Sequence, residues 1–136
     1  MAHILLVDDD NAVREATTTL LRTCGYAVTA LANGLKIEAA IAAHRPDLVV
    51  MDILMPDRDG IEIIIALRHN FPDLPVLVVS GSGENGGLSF LTMARSLGAA
   101  EALAKPFDGE KLLEMIETLL AGRTKTVAAR QAGGAT

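Results

Sequence analysis

The chain has 136 residues, half of them hydrophobic and only 3% aromatic, with a mean hydropathy of +0.34; one folded domain around an aliphatic core is expected, and a disordered chain is excluded. Seventeen acidic residues against twelve basic ones leave a net charge of −5, and the cations do not cluster, which argues against direct nucleic-acid binding. No apolar stretch approaches the ~20 residues of a membrane span, no leader peptide opens the chain, and a lone Cys24 fits a reducing cytoplasm.

Strand-like and helix-like segments then alternate. HILLV (3–7) is a short apolar run, followed by a helical stretch with Val13, Ala16, Leu20, Leu21 and Cys24 on one stripe and Gly25 as its stop. Cys24 is accordingly expected in the core. AVTAL (27–31) reads as a strand, and GLKIEAAIAAHRP as a helix with Ile37, Ala40 and Ile41 inward and Pro46 at its close. LVVMD (48–52) is continuous and apolar, as in a strand buried on both faces. The loop ILMPDRDG leads to a third helix, IEIIIALRHN, and PVLVVS (75–80) is the fourth strand.

After Ser80 the chain reads GSGENG, then a fourth helix ending at Gly98, a short strand EALA, and KPFDG. The last helix, EKLLEMIETLLAG, turns Leu112, Leu113, Ile116, Leu119 and Leu120 inward. Five strand–helix repeats with short connections predict an α/β fold, a doubly wound five-stranded parallel sheet with five helices on its two faces. Residues 1–121 form this domain, and 122–136, small and polar with no apolar period, read as a disordered tail.

In such a sheet ligands bind beyond the carboxyl ends of the strands. Asp8, Asp9 and Asp10 come directly after the first strand, Asp52 ends the third, Ser80 ends the fourth, and Lys105 comes after the fifth. Carboxylates ~4 Å apart repel by roughly 4 kcal/mol at intermediate dielectric, so cations must join them. Few protein ligands, all oxygen, suit Mg²⁺, and Lys105 adds a second cation. A carboxylate in that company is equipped to become an acyl phosphate. Asp10 and Asp59 read instead as helix caps. His3, His44 and His69 neither cluster in sequence nor stand at a carboxyl end, and Met51, Met55, Met93 and Met115 read as packing.

The run GSGENG spells the G-x-G-x-x-G of a dinucleotide-binding turn. It opens the wrong unit, and Glu101, about twenty residues on, begins the fifth strand where the ribose-binding acid should end one. Its glycines instead let the segment after Ser80 move.

The motifs LLVDDD, LVVMDILMPDRDG, VLVVSGSG and LGAAEALAKPF, in this order, resemble the receiver domain of two-component response regulators, of flavodoxin-like fold, over about residues 3–121. The resemblance implies that Asp52 is the phosphoacceptor, with Ser80 as the switch hydroxyl and Lys105 pairing with the phosphoryl group. It also implies Mg²⁺ held by Asp9, by Asp8 through water, by Asp52 and by the backbone carbonyl of Leu54, with a cis bond before Pro106. The phosphoryl donor is then a histidine kinase or histidine phosphotransfer protein, and the output a protein contact through the fourth helix, fifth strand and fifth helix. A stand-alone, cytoplasmic response regulator is expected, a phosphoacceptor switch rather than an enzyme, without membrane insertion. Ala102 stands where many receivers carry an aromatic switch residue, and apolar Leu54 beside the expected path of water predicts a long-lived aspartyl phosphate. A phosphate-independent scaffold, a nucleotide or flavin module and a metal-dependent phosphohydrolase are the alternatives.

Overall fold

Five aliphatic runs form the strands: β1 (His3–Val7), β2 (Ala27–Leu31), β3 (Leu48–Asp52), β4 (Val76–Ser80) and β5 (Glu101–Ala104). All pair in parallel, in the order β2-β1-β3-β4-β5. The intervening helices are α1 (Asn11–Thr23), α2 (Ile37–His44), α3 (Gly60–Asn70), α4 (Gly87–Leu97) and α5 (Gly109–Gly134). This computed structural model describes residues 1–53, 58–80, 87–105 and 107–134, with side chains outside the description at 87–91 and 123–134. Among the described residues, no helix is long and apolar enough to cross a membrane.

The doubly wound sheet expected from the repeats is present. Every residue of β3 and β4 is buried, the reason these runs are apolar without alternation. Successive side chains point to opposite faces, which splits the core in two. Leu5, Val7, Val49, Met51 and Val78 pack with Ile37, Ile41, Ile63, Ile64 and Leu67 of α2 and α3 and Ala94 of α4. Ile4, Leu6, Leu48, Val50 and Leu77 pack on the other face with Leu21 of α1 and Leu112 and Ile116 of α5. Each such aliphatic side chain taken from water contributes roughly 1.5–3 kcal/mol.

The caps match the sequence closely. Asp10 stands before α1 and its Oδ1 accepts from the Val13 amide at 3.1 Å; Asp59 does the same for α3 through the Ile61 amide at 3.0 Å. Both therefore satisfy amides that a helix start leaves unpaired. Gly25 ends the α1 unit with φ +95°, a conformation that side-chain-bearing residues resist.

Three expectations fail. The inner stripe of α1 runs through Thr17, which is buried, while Ala16 is exposed. Cys24 is exposed rather than in the core: α1 ends at Thr23, so the stripe stops one residue short, and the Cys24 amide closes the helix on the carbonyls of Leu20 and Leu21. The segment after Ala121, expected to lack order, continues α5 to Gly134. Ala128, Ala129, Arg130, Gln131 and Ala132 are strong helix formers, and that intrinsic preference prevails where no apolar stripe exists.

Candidate functional site

Parallel pairing aligns all five strands, so their carboxyl ends share one rim. Asp52 ends β3 opposite Val79, and Ser80 stands one residue further along β4, opposite Ala104. Asp8 leaves β1, its amide donating to the Leu31 carbonyl at 3.1 Å. Lys105 leaves β5, held by its amide donating to the Ser80 carbonyl at 2.7 Å. Strand pairing alone thus brings the acids, the hydroxyl and the ammonium to one place.

The side chains then meet. Lys105 Nζ donates to Asp8 Oδ2 at 3.1 Å and to Asp52 Oδ2 at 2.9 Å. Asp8 and Asp52 are only 4% and 7% exposed, and Ser80 is 1% exposed, so these charges sit where water screens them poorly. Burial pulls the Lys105 pKa down, but the hydrogen bonds and charges of Asp52 and Asp8 outweigh it and hold the ammonium above its ordinary value. The other Asp8 oxygen accepts from the Asp10 amide at 2.9 Å. Asp8 is therefore fixed from two sides.

Asp9 completes the group. Carboxylate oxygens of Asp8, Asp9 and Asp52 lie within 4.8 Å of one another, with Asp9 exposed. One ammonium against three carboxylates leaves a net charge of two negatives in this group, which a divalent cation matches. Few protein ligands, all oxygen, and one open arm to the solvent fit Mg²⁺, which keeps much of its water. The Leu54 carbonyl, the Pro106 peptide bond, Met55 and the GSGENG segment (81–86) lie outside the described residues.

Two arginines that sequence reading passed over make long-reaching contacts, and one of them braces this rim. Arg14 Nη1 donates to the Asp8 carbonyl at 2.8 Å, and Nη2 reaches Asn11 Oδ1. A cation in the first turn of α1 opposes the helix dipole, and that mismatch was a readable signal. Arg58, between β3 and α3, donates to both carboxylate oxygens of Glu38 at 2.6 and 2.8 Å and to the Gly34 carbonyl at 3.3 Å. Nothing in sequence spacing pairs residues 58 and 38.

Of the remaining candidates, Glu101 pairs with Arg95 at the start of β5, away from this rim. Ala102 is buried in β5, opposite Val78. His3 and His44, apart in sequence, meet edge to face with ring centres 5.8 Å apart. They do so at the amino end of the sheet, far from the acids in topology.

Comparison with known proteins gives one consistent answer. The sequence profile described as the response regulator receiver domain matches residues 4–117. The chain is 40% identical over 118 residues to the response regulator MprA of Mycobacterium sp. (strain KMS), covering 87% of this chain and 50% of that protein. The MprA of Mycobacterium bovis (strain ATCC BAA-935 / AF2122/97) is 40% identical over 123 residues, 90% of this chain and 52% of its own. The chain thus spans about half the length of the curated relatives it matches. Among solved structures, the CheY-like receiver domain protein from Methanospirillum hungatei JF-1 superposes with TM-score 0.82 at 29% identity, covering 93% of this chain and 98% of that one. NtrX from Brucella abortus superposes with TM-score 0.88 at 27% identity, over 97% of this chain and 30% of its own.

Proposed function

The chain belongs to the response regulator receiver domain family, and from that premise we propose that Asp52 accepts a phosphoryl group from a partner histidine kinase or histidine phosphotransfer protein in the cytoplasm. The observation that carries this reading is the ammonium of Lys105 bridging the buried carboxylates of Asp8 and Asp52 at 3.1 and 2.9 Å, beside the open carboxylate of Asp9.

In the proposed transfer an Asp52 oxygen attacks the phosphorus of the donor phosphohistidine. A P–O bond forms, the P–N bond breaks, and the departing imidazole takes up a proton. Asp8, Asp9 and Asp52 would hold Mg²⁺, which when bound supplies positive charge to the phosphoryl oxygens. Asp8, fixed by the Asp10 amide and Lys105, keeps its oxygen in place without reorganisation. Lys105 loses half its acid partners when Asp52 is esterified, and its ammonium is free to bind the new phosphoryl oxygens. The Ser80 hydroxyl, at the end of the neighbouring strand, donates to the same group. The resulting change at the end of β4 alters the α4, β5 and α5 face, which contacts a target protein. The chain is a switch that is itself modified, not an enzyme turning over a separate substrate.

Buried Ala102 supports a second reading, a scaffold that signals without phosphate, because no ring is present there to move with the hydroxyl. Intact mass after incubation with acetyl phosphate separates the two. One added phosphoryl group, dependent on Mg²⁺ and absent from Asp52→Ala, is the expected result; no addition to the wild type, even with a cognate donor, favours the scaffold.

A further inference from the structure

Of the three clustered carboxylates only that of Asp9 is exposed, and the main chain on either side of it is held. The peptide unit before Asp9 contains the Asp8 carbonyl, which accepts from Arg14 Nη1 at 2.8 Å. The peptide unit after it contains the Asp10 amide, which donates to Asp8 Oδ1 at 2.9 Å. Further on, the Arg14 amide donates to the Asp10 carbonyl at 2.9 Å, and Asp10 Oδ1 accepts from the Val13 amide at 3.1 Å. Arg14 therefore holds the carbonyls of both neighbours of Asp9, one with its side chain and one with its backbone.

On stability grounds alone this is a poor place for an arginine. Arg14 stands in the first turn of α1, where a cation faces the positive end of the helix dipole. Its guanidinium turns back past the helix start, onto the Asp8 carbonyl and onto Asn11 Oδ1. The register of β1 with both neighbouring strands ends at Val7, so the Asp8 carbonyl lies beyond the ladder, in a residue only 4% exposed. A carbonyl so placed needs a donor. A guanidinium, with its N–H groups fixed in one plane, serves it and Asn11 together.

We propose that Arg14 is a positioning residue for the cation site: by pinning the peptide unit between Asp8 and Asp9 it fixes, ahead of cation binding, the backbone from which the exposed Asp9 carboxylate projects. The inference rests on the phosphoacceptor reading above. With both flanking peptide units held, the side-chain torsions of Asp9 are what cation binding has left to order. Without the guanidinium the preceding unit loses this hold, and its ordering falls on binding. Ordering one backbone residue corresponds to roughly fivefold to thirtyfold in affinity. The lower end applies here, because the bond from the Asp10 amide to Asp8 remains.

Charge and position predict opposite results for one variant. Arg14→Met removes a positive charge near the acidic group, so Coulomb attraction alone would tighten Mg²⁺ binding; loss of the pinned peptide unit weakens it. Isothermal titration with MgCl₂ is expected to show Kd raised about fivefold in Arg14→Met. A smaller rise is expected in Arg14→Lys, which keeps the charge but cannot serve both acceptors, and in Asn11→Ala, which removes one acceptor without changing charge. Arg22→Met is the control: its guanidinium reaches the Val28 carbonyl at 3.2 Å from the last turn of α1, and its Kd should equal that of the wild type. Melts of Arg14→Met without Mg²⁺ should move little, because a lost hydrogen bond and a relieved dipole mismatch offset each other. Unchanged or tighter binding by Arg14→Met overturns the proposal, as does an equal rise in Arg22→Met, since any loosening of α1 would then suffice. If Arg14→Met does not fold, Arg14→Lys and Asn11→Ala carry the test, and wild-type Kd in both overturns it. If the wild type itself neither binds Mg²⁺ nor takes phosphate from acetyl phosphate, the phosphoacceptor reading fails, and this proposal with it.

Discussion

At its carboxyl edge the sheet buries Asp8 and Asp52 against the single ammonium of Lys105, with Asp9 open beside them. At its amino edge His3 bonds through its ring to the Thr29 hydroxyl at 2.7 Å and through its amide to Asp47 at 2.8 Å, with His44 edge-on against the ring. Both edges gather titratable groups contributed by different elements. The amino edge pairs its groups with one another across elements, the Asp47 carboxylate accepting from the His3 amide of β1. The carboxyl edge leaves negative charge over after its hydrogen bonds are made, inside a poorly solvated rim. Charge that the fold concentrates without balancing is costly unless something binds there, and this imbalance separates a site from a structural cluster.

The sharpest way to break the comparison is to exchange roles. Asp52→Asn should abolish phosphoryl incorporation from acetyl phosphate, whereas Asp47→Asn on the opposite edge should leave it intact; intact mass reads both. If Asp47→Asn also abolished incorporation, the division between the edges would be wrong.

Next in size is Gly60→Ala. The added methyl meets the Ile53 carbonyl oxygen at 2.1 Å, backbone that cannot yield cheaply, so urea denaturation should show a loss of about 3 kcal/mol. No glycine of the amino edge is expected to be this sensitive.

Lys105→Met sharpens the electrostatic half. It leaves Asp8 and Asp52 facing each other without their cation and should cost about 2 kcal/mol without Mg²⁺. The pH dependence has a definite sign. Because the hydrogen bonds and charges of Asp52 and Asp8 outweigh burial and raise the Lys105 pKa above 10.5, its contribution is complete below the ordinary lysine range. It is lost as pH climbs through the higher folded value. Wild type should therefore lose thermal stability above pH 10.5 along a slope that Lys105→Met lacks, measured by circular dichroism melts. Equal slopes would show that the ammonium is not coupled to these acids.

The smallest effect belongs to the amino edge. His3→Ala removes the ring bond to Thr29 and should cost about 1 kcal/mol with phosphorylation unchanged, and exposed Cys24→Ser should fall within about 0.5 kcal/mol of wild type.

Most of the carboxyl edge was legible because strand period and strand ends are local properties. β3 and β4 announce themselves by uninterrupted aliphatic residues, and Asp52 and Ser80 are located by where those runs stop. The caps Asp10 and Asp59 were legible for the same reason, since a cap acts within three residues of itself. The features that escaped depend on partners chosen in space. Arg14 and Arg58 reach carbonyls and a carboxylate through long side chains, and the His3–His44 contact joins β1 to the end of α2. Thr17 was passed over because its hydroxyl hid it from an apolar stripe that its methyl still serves. The extension of α5 was missed because its residues favour helix individually without forming a face.

The bond between Lys105 and Asp8 joins residues 97 apart in sequence, and that separation bears on how the chain folds. β1 lies between β2 and β3, so Asp8 and Asp52 are brought together as soon as the first three strands pair. The ammonium that separates them arrives only when β5 joins the far edge through β4. Contacts of such long range are slow to form. Any arrangement that pairs β1 with β3 but leaves β5 undocked holds Asp8 and Asp52 together without that ammonium. Pairing of β5 relieves their repulsion, so Lys105 couples completion of the sheet to readiness of the rim.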